Sequence, residues 1–200
     1  MEIIIIIAGL IFSVILHEVM HGYVAEKLGD HTARLAGRLT LNPIPHIDPI
    51  FTILLPLLLF ISSGGQFIFG AAKPVPVNPL NFSDWKKDMA IVSLAGPLTN
   101  IAIALVLAGI YHLITPSGVL IDLMRLNIFL AILNLIPIPP LDGSKIIAVF
   151  LPDHIAAQYE SIGSVGMILL FVLLMMPIGG LDLGSLLSQL VLYSLGLLGI

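Results

Sequence analysis

The sequence predicts an all-α polytopic membrane protein with about five spanning helices, a re-entrant hairpin and short membrane-associated β-strands. Of the 200 residues, 58% are hydrophobic and only 10% are charged, whereas soluble domains average about 25% charged residues. So few charges could not cover the surface of a water-soluble fold. Several apolar runs are also long enough to cross a bilayer, which takes roughly 20 residues of helix.

Spanning helices are predicted where a long apolar run is bounded by turn-forming residues. The first run lacks the basic segment of a signal peptide, so we interpret it as a retained transmembrane helix. Prolines and glycines separate the later runs, because neither residue type sustains a helix well. The predicted spans are residues 3–26, 89–114, 119–136, 162–177 and 181–199.

The region between the first two spans is predicted to enter the membrane and return. Its apolar stretch 50–61 would be only about 18 Å long as a helix, which is too short to span. Residues 62–65 (Ser-Ser-Gly-Gly) then interrupt it. Loose alternation at 33–41 and the prolines within 66–78 favour extended chain, and we predict short strands there.

A single integral membrane domain is predicted over 1–200, with its core at 1–150 and two further transmembrane helices at 160–200. The net charge of −4 includes no basic patch, so a nucleic-acid partner is not expected. The chain has no cysteine, which excludes disulfides, cysteine-bound zinc and thiol chemistry. Any metal must therefore be bound by His, Asp or Glu.

Residues suited to metal chemistry stand within the first apolar run. His17 and His21 are four residues apart, so their imidazoles share one face of a helix. Both can bind one zinc ion, with Glu18 beside them as general base for a zinc-activated water. Such a pair also arises by chance on soluble helices. Ionisable groups inside a membrane helix are costly, however, which favours the functional interpretation.

Asp142 is the strongest candidate for the third protein ligand that a catalytic zinc site needs. It follows prolines at 137, 139 and 140, which force irregular backbone just after an apolar helix. Such backbone is tolerated at membrane depth only where it is buried in protein or lines a wet cavity. The alternative is an Asp-Gly turn at the membrane surface.

The motifs together resemble the site-2 protease family of intramembrane zinc metalloproteases, in its short form without PDZ or CBS domains. The resemblance covers residues 8–150. It is carried by the motif at 17–21 (HEVMH) and by the segments 134–143 (NLIPIPPLDG), 96–100 (GPLTN), 39–49 (LTLNPIPHIDP) and 73–79 (KPVPVNP).

The resemblance implies that His17, His21 and Asp142 bind one zinc ion per chain and that Glu18 is the general base. It implies that Asn134 steadies the tetrahedral oxyanion, a task that an amide donor suits; the alternative is a polar helix cap. The implied reaction is cleavage within transmembrane segments of membrane-protein substrates, as in regulated intramembrane proteolysis.

Further residues are candidates for contacts with the substrate or for supporting roles. Asn100 either binds the substrate backbone or bridges helices. Pro76 and Asn78 lie in a segment that could hold an unfolded substrate strand by β-addition. His46 and Asp48 either support the ligands as a second-sphere pair or anchor a loop.

The expected partners are single-span membrane-protein substrates and the lipid bilayer, while the oligomeric state stays open. Two other functions are conceivable: a membrane metal transporter, or an inactive protease-like binding protein. A transporter should carry polar ligands at several depths, whereas here they converge on one depth. The presence of Glu18 argues against an inactive protein.

Topology follows from the requirement that both zinc motifs lie at one end of the membrane domain. The chain between them must then cross an even number of times, so the stretch 50–72 cannot add a net crossing. On this arrangement seven of the eight Lys and Arg residues share one face, which the positive-inside rule marks as cytoplasmic. We therefore expect a cell-membrane protein with its amino terminus outside, its active site towards the cytoplasm and its carboxyl terminus inside.

Overall fold

The computed structural model describes residues 1–62, 64, 70–176 and 182–200, and the regular structure of these residues is helical. A π-helix (Pro49–Leu54) precedes α3, and short 3-10 helices lie at Ile44–His46 and Pro79–Asn81. The α-helices are α1 (Glu2–Lys27), α2 (Thr32–Leu35), α3 (Leu55–Ser62), α4 (Trp85–Leu113), α5 (Gly118–Asn134), α6 (Asp142–Ala148), α7 (Asp153–Ser161), α8 (Gly163–Met175) and α9 (Leu183–Leu197).

Helices α1, α4 and α5 form the core of the bundle. Helix α4 runs antiparallel to α1, since Val92 contacts His21 while Asn100, two turns further along, contacts His17. Helix α5 runs parallel to α1 and places Leu123 against Gly9. The buried face of α4 consists mainly of small residues, which lets the helix backbones approach closely: Ala90, Ala95, Gly96, Ala104 and Ala108.

The predicted β-strands are wrong, because the residues that the structure describes contain no strand. Residues 33–41 form the end of α2 and a series of turns, while the part of 66–78 before residue 70 lies outside the described residues. Residues 70–78 have no regular secondary structure. We call this stretch, whose prolines favour an extended path, the extended segment. Two prolines at 74 and 76 supply no N–H, and the N–H groups of Lys73 and Val75 donate to the carbonyl of His46 and to the Glu18 carboxylate. These bonds and the prolines leave few N–H groups to pair with another strand of the chain.

The predicted number of five spanning helices is also wrong. Among the described residues, α1 and α4 are long and apolar enough to cross a membrane, and α7 with α8 could count as a third span that bends by 64°. Helix α5 has 17 residues, at the lower end of the range that crosses a membrane, whereas α8 has 13 and α9 has 15, which is below that range. Apolar composition alone therefore overestimated the crossings.

The segment between residues 50 and 72 returns to the place where it leaves the bundle. The Asp48 carboxylate caps the π-helix by accepting from the N–H groups of Ile50 and Phe51. At the other end, the Ala71 N–H donates to the carbonyl of Phe51 at 3.0 Å, and the Thr52 hydroxyl donates to the carbonyl of Ala71 at 2.7 Å. The two ends of the segment are therefore adjacent.

The carboxyl terminus lies at the opposite end from the one we expected. Helix α9 begins with Leu183 and Leu187 in a cluster with Leu133, and ends where His112 donates to the carbonyl of Leu198 at 2.7 Å. Because His112 ends α4, the chain finishes near the amino-terminal end of α1. Helices α8 and α9 together make one net traverse, since α8 also packs into the Leu183 cluster through Leu170.

A buried carboxylate fastens the loop after α1 to the loop before α4. Asp30 is 0% exposed and accepts from the Thr32 N–H and hydroxyl, from the Asn78 N–H at 2.7 Å and from the Asn81 amide at 2.7 Å. Burial raises the pKa of Asp30, but these hydrogen bonds outweigh burial and hold that pKa below its ordinary value. The ionised carboxylate thus fixes where the extended segment 70–78 ends.

We predict that Asp30→Asn lowers the free energy of unfolding by about 3 kcal/mol, because an amide presents an N–H to groups that are themselves donors. The stabilisation by Asp30 should be complete above a pH of about 4 and should be lost as the pH falls through its lowered folded-state pKa. Thermal unfolding in detergent measures both effects. Asp122→Asn, at an exposed ion pair with Arg125, is the control and should change little. Equal stability of the two variants would contradict a structural role for Asp30.

Candidate metal centre

Two imidazoles and one carboxylate meet between α1 and the start of α6. His17 and His21 lie one turn apart on α1, are 7% and 8% exposed, and place their Nε2 atoms 3.0 Å from each other. The Oδ2 atom of Asp142 lies 3.2 Å from each Nε2. The structure therefore brings together the three side chains that the two sequence motifs proposed as ligands.

Hydrogen bonds on the far side of each ring fix which nitrogen carries the proton. His21 Nδ1 lies 2.7 Å from the carbonyl of Val92, which can only accept, so Nδ1 is the donor. His17 Nδ1 lies 2.6 Å from Oδ1 of Asn100 and donates in the same way. In the neutral rings both Nε2 atoms then carry a lone pair, which is the state of a metal-binding histidine whose other nitrogen is anchored.

The three converging atoms fit a metal ion. Two Nε2 lone pairs and a carboxylate oxygen at 3.0–3.2 Å repel one another unless a metal ion or a proton lies between them. Tetrahedral zinc with bonds near 2.05 Å separates its ligands by about 3.3 Å, close to the separations observed. Two nitrogens and one oxygen without sulfur also match the ligand preference of zinc.

Gly96 of α4 faces both rings. A Cβ atom at this position would lie 2.4 Å from Nε2 of His21 and 2.5 Å from Nε2 of His17. Any side chain here would occupy the space where the ligand atoms converge. Gly96 belongs to the motif 96–100, for which the sequence alone indicated no role for the glycine. In the structure, the absence of a side chain at Gly96 leaves room for the converging ligand atoms.

The proline segment delivers Asp142 by a tight path. Residues 135–141 form successive turns, with the Leu141 N–H donating to the carbonyl of Ile138 at 2.9 Å, and α6 begins at Asp142 itself. The Ser144 hydroxyl donates to the carbonyl of Leu141 at 2.8 Å and is fully buried. A Cβ on Gly143 would lie 2.3 Å from the carbonyl oxygen of Leu135, so the chain can fold back here only with glycine.

Glu18 faces the extended segment before α4. Its Oε2 atom accepts from the Val75 N–H at 2.7 Å, and its Oε1 atom has no hydrogen bond within the described part of the chain. Val75 is buried, and the segment is held on either side by bonds from Arg38 to the carbonyl of Lys73 and from the Asn78 N–H to Asp30. One carboxylate oxygen is thus fixed in orientation while the other stays available.

The remaining predicted site residues differ in their hydrogen-bond partners. Asn134 is half-buried, and its amide donates to the carbonyl of Leu130 in its own helix at 3.0 Å. Asn100 is 0% exposed and bridges α1 to α5, which is the bridging alternative of the sequence analysis. Pro76 and Asn78 belong to the extended segment beside Glu18.

No hydrogen bond joins the side chains of His46 and Asp48, and each bonds within the loop. His46 Nε2 bonds to the carbonyl of Thr40 at 3.0 Å, and Asp48 caps the π-helix. Two buried residues that the sequence analysis did not select, Asp30 and Asn127, take part in the hydrogen bonds around the site. The sequence feature that could have indicated a role for Asn127 is its polar amide within an otherwise apolar run.

Comparison with known proteins agrees with this geometry. The model of peptidase family M50 matches residues 115–177, which include the Asp142 segment. YwhC of Bacillus subtilis, named as a candidate zinc metalloprotease, is 35% identical over 198 residues, covering 92% of this chain and 85% of YwhC. Rip2 of Mycolicibacterium smegmatis, named likewise, is 33% identical over 181 residues, covering 87% of this chain and 68% of Rip2.

No solved structure matches the chain, so assignment to a family rests on sequence relatives and on the site. The similarity to YwhC extends over nearly the whole chain, and the family model covers the aspartate segment. The resemblance seen in the sequence is confirmed: the chain belongs to peptidase family M50, the site-2 proteases.

Proposed function

We propose that the chain is an intramembrane zinc endopeptidase that hydrolyses peptide bonds within transmembrane segments of membrane-protein substrates. The convergence of His17, His21 and Asp142, with lone pairs facing one another between apolar helices, carries this proposal. The relatives named as candidate zinc metalloproteases support zinc as the metal. His17, His21 and Asp142 would bind it, and Glu18 projects from the helical turn that carries the two histidines.

Each residue has a distinct task in the proposed hydrolysis. When bound, zinc supplies a Lewis acid that makes a water molecule acidic enough to attack a peptide carbonyl near neutral pH. Glu18 accepts the proton from that water and passes it to the departing amine. The Val75 N–H holds one oxygen of Glu18, which leaves Oε1 to handle the proton. Asn134 has a second amide N–H beyond the one bonded to Leu130, and this N–H is the proposed oxyanion donor.

The extended segment beside Glu18 is a suitable guide for the substrate. A transmembrane helix must unfold before its carbonyls can be attacked, and the exposed backbone groups then need partners. The carbonyls of Val75 and Val77 and the Val77 N–H make no hydrogen bond within the described residues, so they can pair with an extended substrate. Pro76 and Asn78 lie on either side of Val77, within the proposed substrate contact.

The distribution of charge supports an orientation in the cell membrane. The histidine half of α1, the start of α4 and the end of α5 lie at one end of the bundle. Seven of the eight cations lie at this end and only Arg125 lies towards the other, which marks the metal end as cytoplasmic. In this orientation the amino terminus is outside, and the contact between His112 and Leu198 supports an outside position for the carboxyl terminus as well. The seven cations are Lys27, Arg34, Arg38, Lys73, Lys86, Lys87 and Lys145.

We predict that Glu18→Gln abolishes cleavage while zinc remains bound, because Gln cannot accept the proton and Glu18 is not a ligand. The assay incubates the purified chain with a panel of single-span membrane proteins, with and without a chelator, and identifies fragments by mass spectrometry. In the same assay Asn134→Ala should lower turnover about 10²-fold, the effect of one lost oxyanion donor. Undiminished cleavage by Glu18→Gln would refute the mechanism, and loss of zinc from Asn134→Ala would show a structural role instead.

We predict the orientation from single cysteines, which the cysteine-free chain allows without background. Gly118→Cys and Ile200→Cys should react with an impermeant thiol reagent in intact cells, because both lie at the end away from the metal centre. The exposed Ser83→Cys, just before α4, should react only after the membrane is permeabilised. Labelling of Ser83→Cys from outside would invert the proposed orientation, and protection of Ile200→Cys would contradict the single net traverse by α8 and α9.

A further inference from the structure

We propose that Asn127 of α5 is a positioning residue that sets the proton position of His17 through Asn100, and thereby the metal affinity of the site. The proposal rests on the proposed function, because it concerns a residue that acts on a metal ligand. Asn127 is 1% exposed and Asn100 is 0% exposed. Two polar amides buried side by side between apolar helices are costly unless every bond is made in the correct sense.

The sense of these bonds is fixed at a backbone carbonyl. The Leu123 carbonyl, one turn before Asn127 on α5, lies 2.9 Å from the Asn127 amide nitrogen. A carbonyl can only accept, so Asn127 turns its Nδ2 towards Leu123 and its Oδ1 towards α4. There Oδ1 meets Nδ2 of Asn100 at 3.0 Å.

The orientation of Asn127 determines that of Asn100, which in turn determines the proton position of His17. Since Asn100 donates through Nδ2 to Asn127, its Oδ1 must face the other way, where it lies 2.6 Å from Nδ1 of His17. An oxygen there requires the proton of His17 to be on Nδ1. The lone pair of His17 is then on Nε2, 3.2 Å from Oδ2 of Asp142. A reversed Asn100 amide would present an N–H to Nδ1, move the proton to Nε2 and remove the ligand.

His21 does not need such a chain, because its Nδ1 bonds directly to the carbonyl of Val92. A backbone carbonyl can only accept a hydrogen bond, whereas a side-chain amide can exchange its acceptor oxygen and donor nitrogen by rotation about one bond. His17 is therefore the ligand whose proton position depends on other side chains. Asn127 removes that freedom from Asn100 without touching the metal, the substrate or any ligand.

The test separates the acceptor at position 127 from its packing. Asn127→Leu keeps the approximate size and removes the acceptor, and Asn127→Val makes the same test if leucine overfills the site. Asn127→Asp is isosteric, and burial favours its protonated form, which donates to Leu123 and accepts from Asn100 as the amide does. Met124→Ala is the control, because it removes a fully buried side chain of α5 that lies outside this chain of bonds.

The full chain in detergent is stripped of metal, titrated with Zn²⁺ against a chromophoric chelator, and titrated separately with Co²⁺ to record its visible spectrum. We expect Asn127→Leu to weaken zinc binding roughly tenfold or more, as loss of an outer partner of a ligand does, and to change the Co²⁺ spectrum. Asn127→Asp should keep an affinity close to that of the original chain. Met124→Ala should lower the thermal unfolding midpoint and leave zinc affinity unchanged.

Three results would overturn the proposal: original affinity in Asn127→Leu, equal loss in Asn127→Asp and Asn127→Leu, or equal loss in Met124→Ala. The last of these would mean that affinity follows overall stability. His17→Ala separates this failure from failure of the metal centre itself. If His17→Ala abolishes zinc binding while Asn127→Leu does not weaken it, only the role of Asn127 is refuted. If the original chain binds no zinc, the metal centre and this proposal both fail.

Discussion

Lone pairs from two imidazoles and one carboxylate face each other across 3.0–3.2 Å at the centre of this molecule. Such an arrangement is repulsive unless a metal ion or a proton lies between the atoms, so the surrounding helices must hold it in place. The bond from His17 to Asn100 and the bond from His21 to Val92 turn both rings towards one point. Gly96 lets α4 approach without filling that point. The close contact of α1 with α4 is therefore a requirement of the site as well as a feature of the packing.

The other parts of the fold can be understood from this requirement. Helix α5 must end at the level of the histidines so that the proline segment can deliver Asp142. The extended chain at 70–78 must pass over Glu18, and the Asp30 carboxylate and the Arg38 guanidinium hold it there. The outer face of α1 consists of exposed isoleucines, which suits contact with lipid chains. Polar groups are thus concentrated within the bundle, where a hydrolytic site in a membrane needs them.

Local rules predicted which three side chains converge at the candidate metal centre. Spacing by one helical turn indicated His17 and His21, and irregular backbone after an apolar helix indicated Asp142. Both signals are local, because each lies within a short stretch of the sequence. The strands were predicted wrongly because extended prolines resemble strand residues while supplying no N–H for pairing. The predicted number of spans was too high because hydrophobicity does not show in which direction a helix runs through the bundle. Helices α8 and α9 were predicted as two crossings, but together they make one net traverse. Gly96 and Asn127 gained their roles only from contacts between α1, α4 and α5, which no single segment contains.

Metal analysis of the purified full chain tests whether His17, His21 and Asp142 form one metal site. We expect one zinc per chain, lost when either His17 or Asp142 is replaced by alanine, because two remaining ligands do not hold the ion firmly. The same zinc content in His17→Ala, Asp142→Ala and the original chain would show that these residues do not bind the metal.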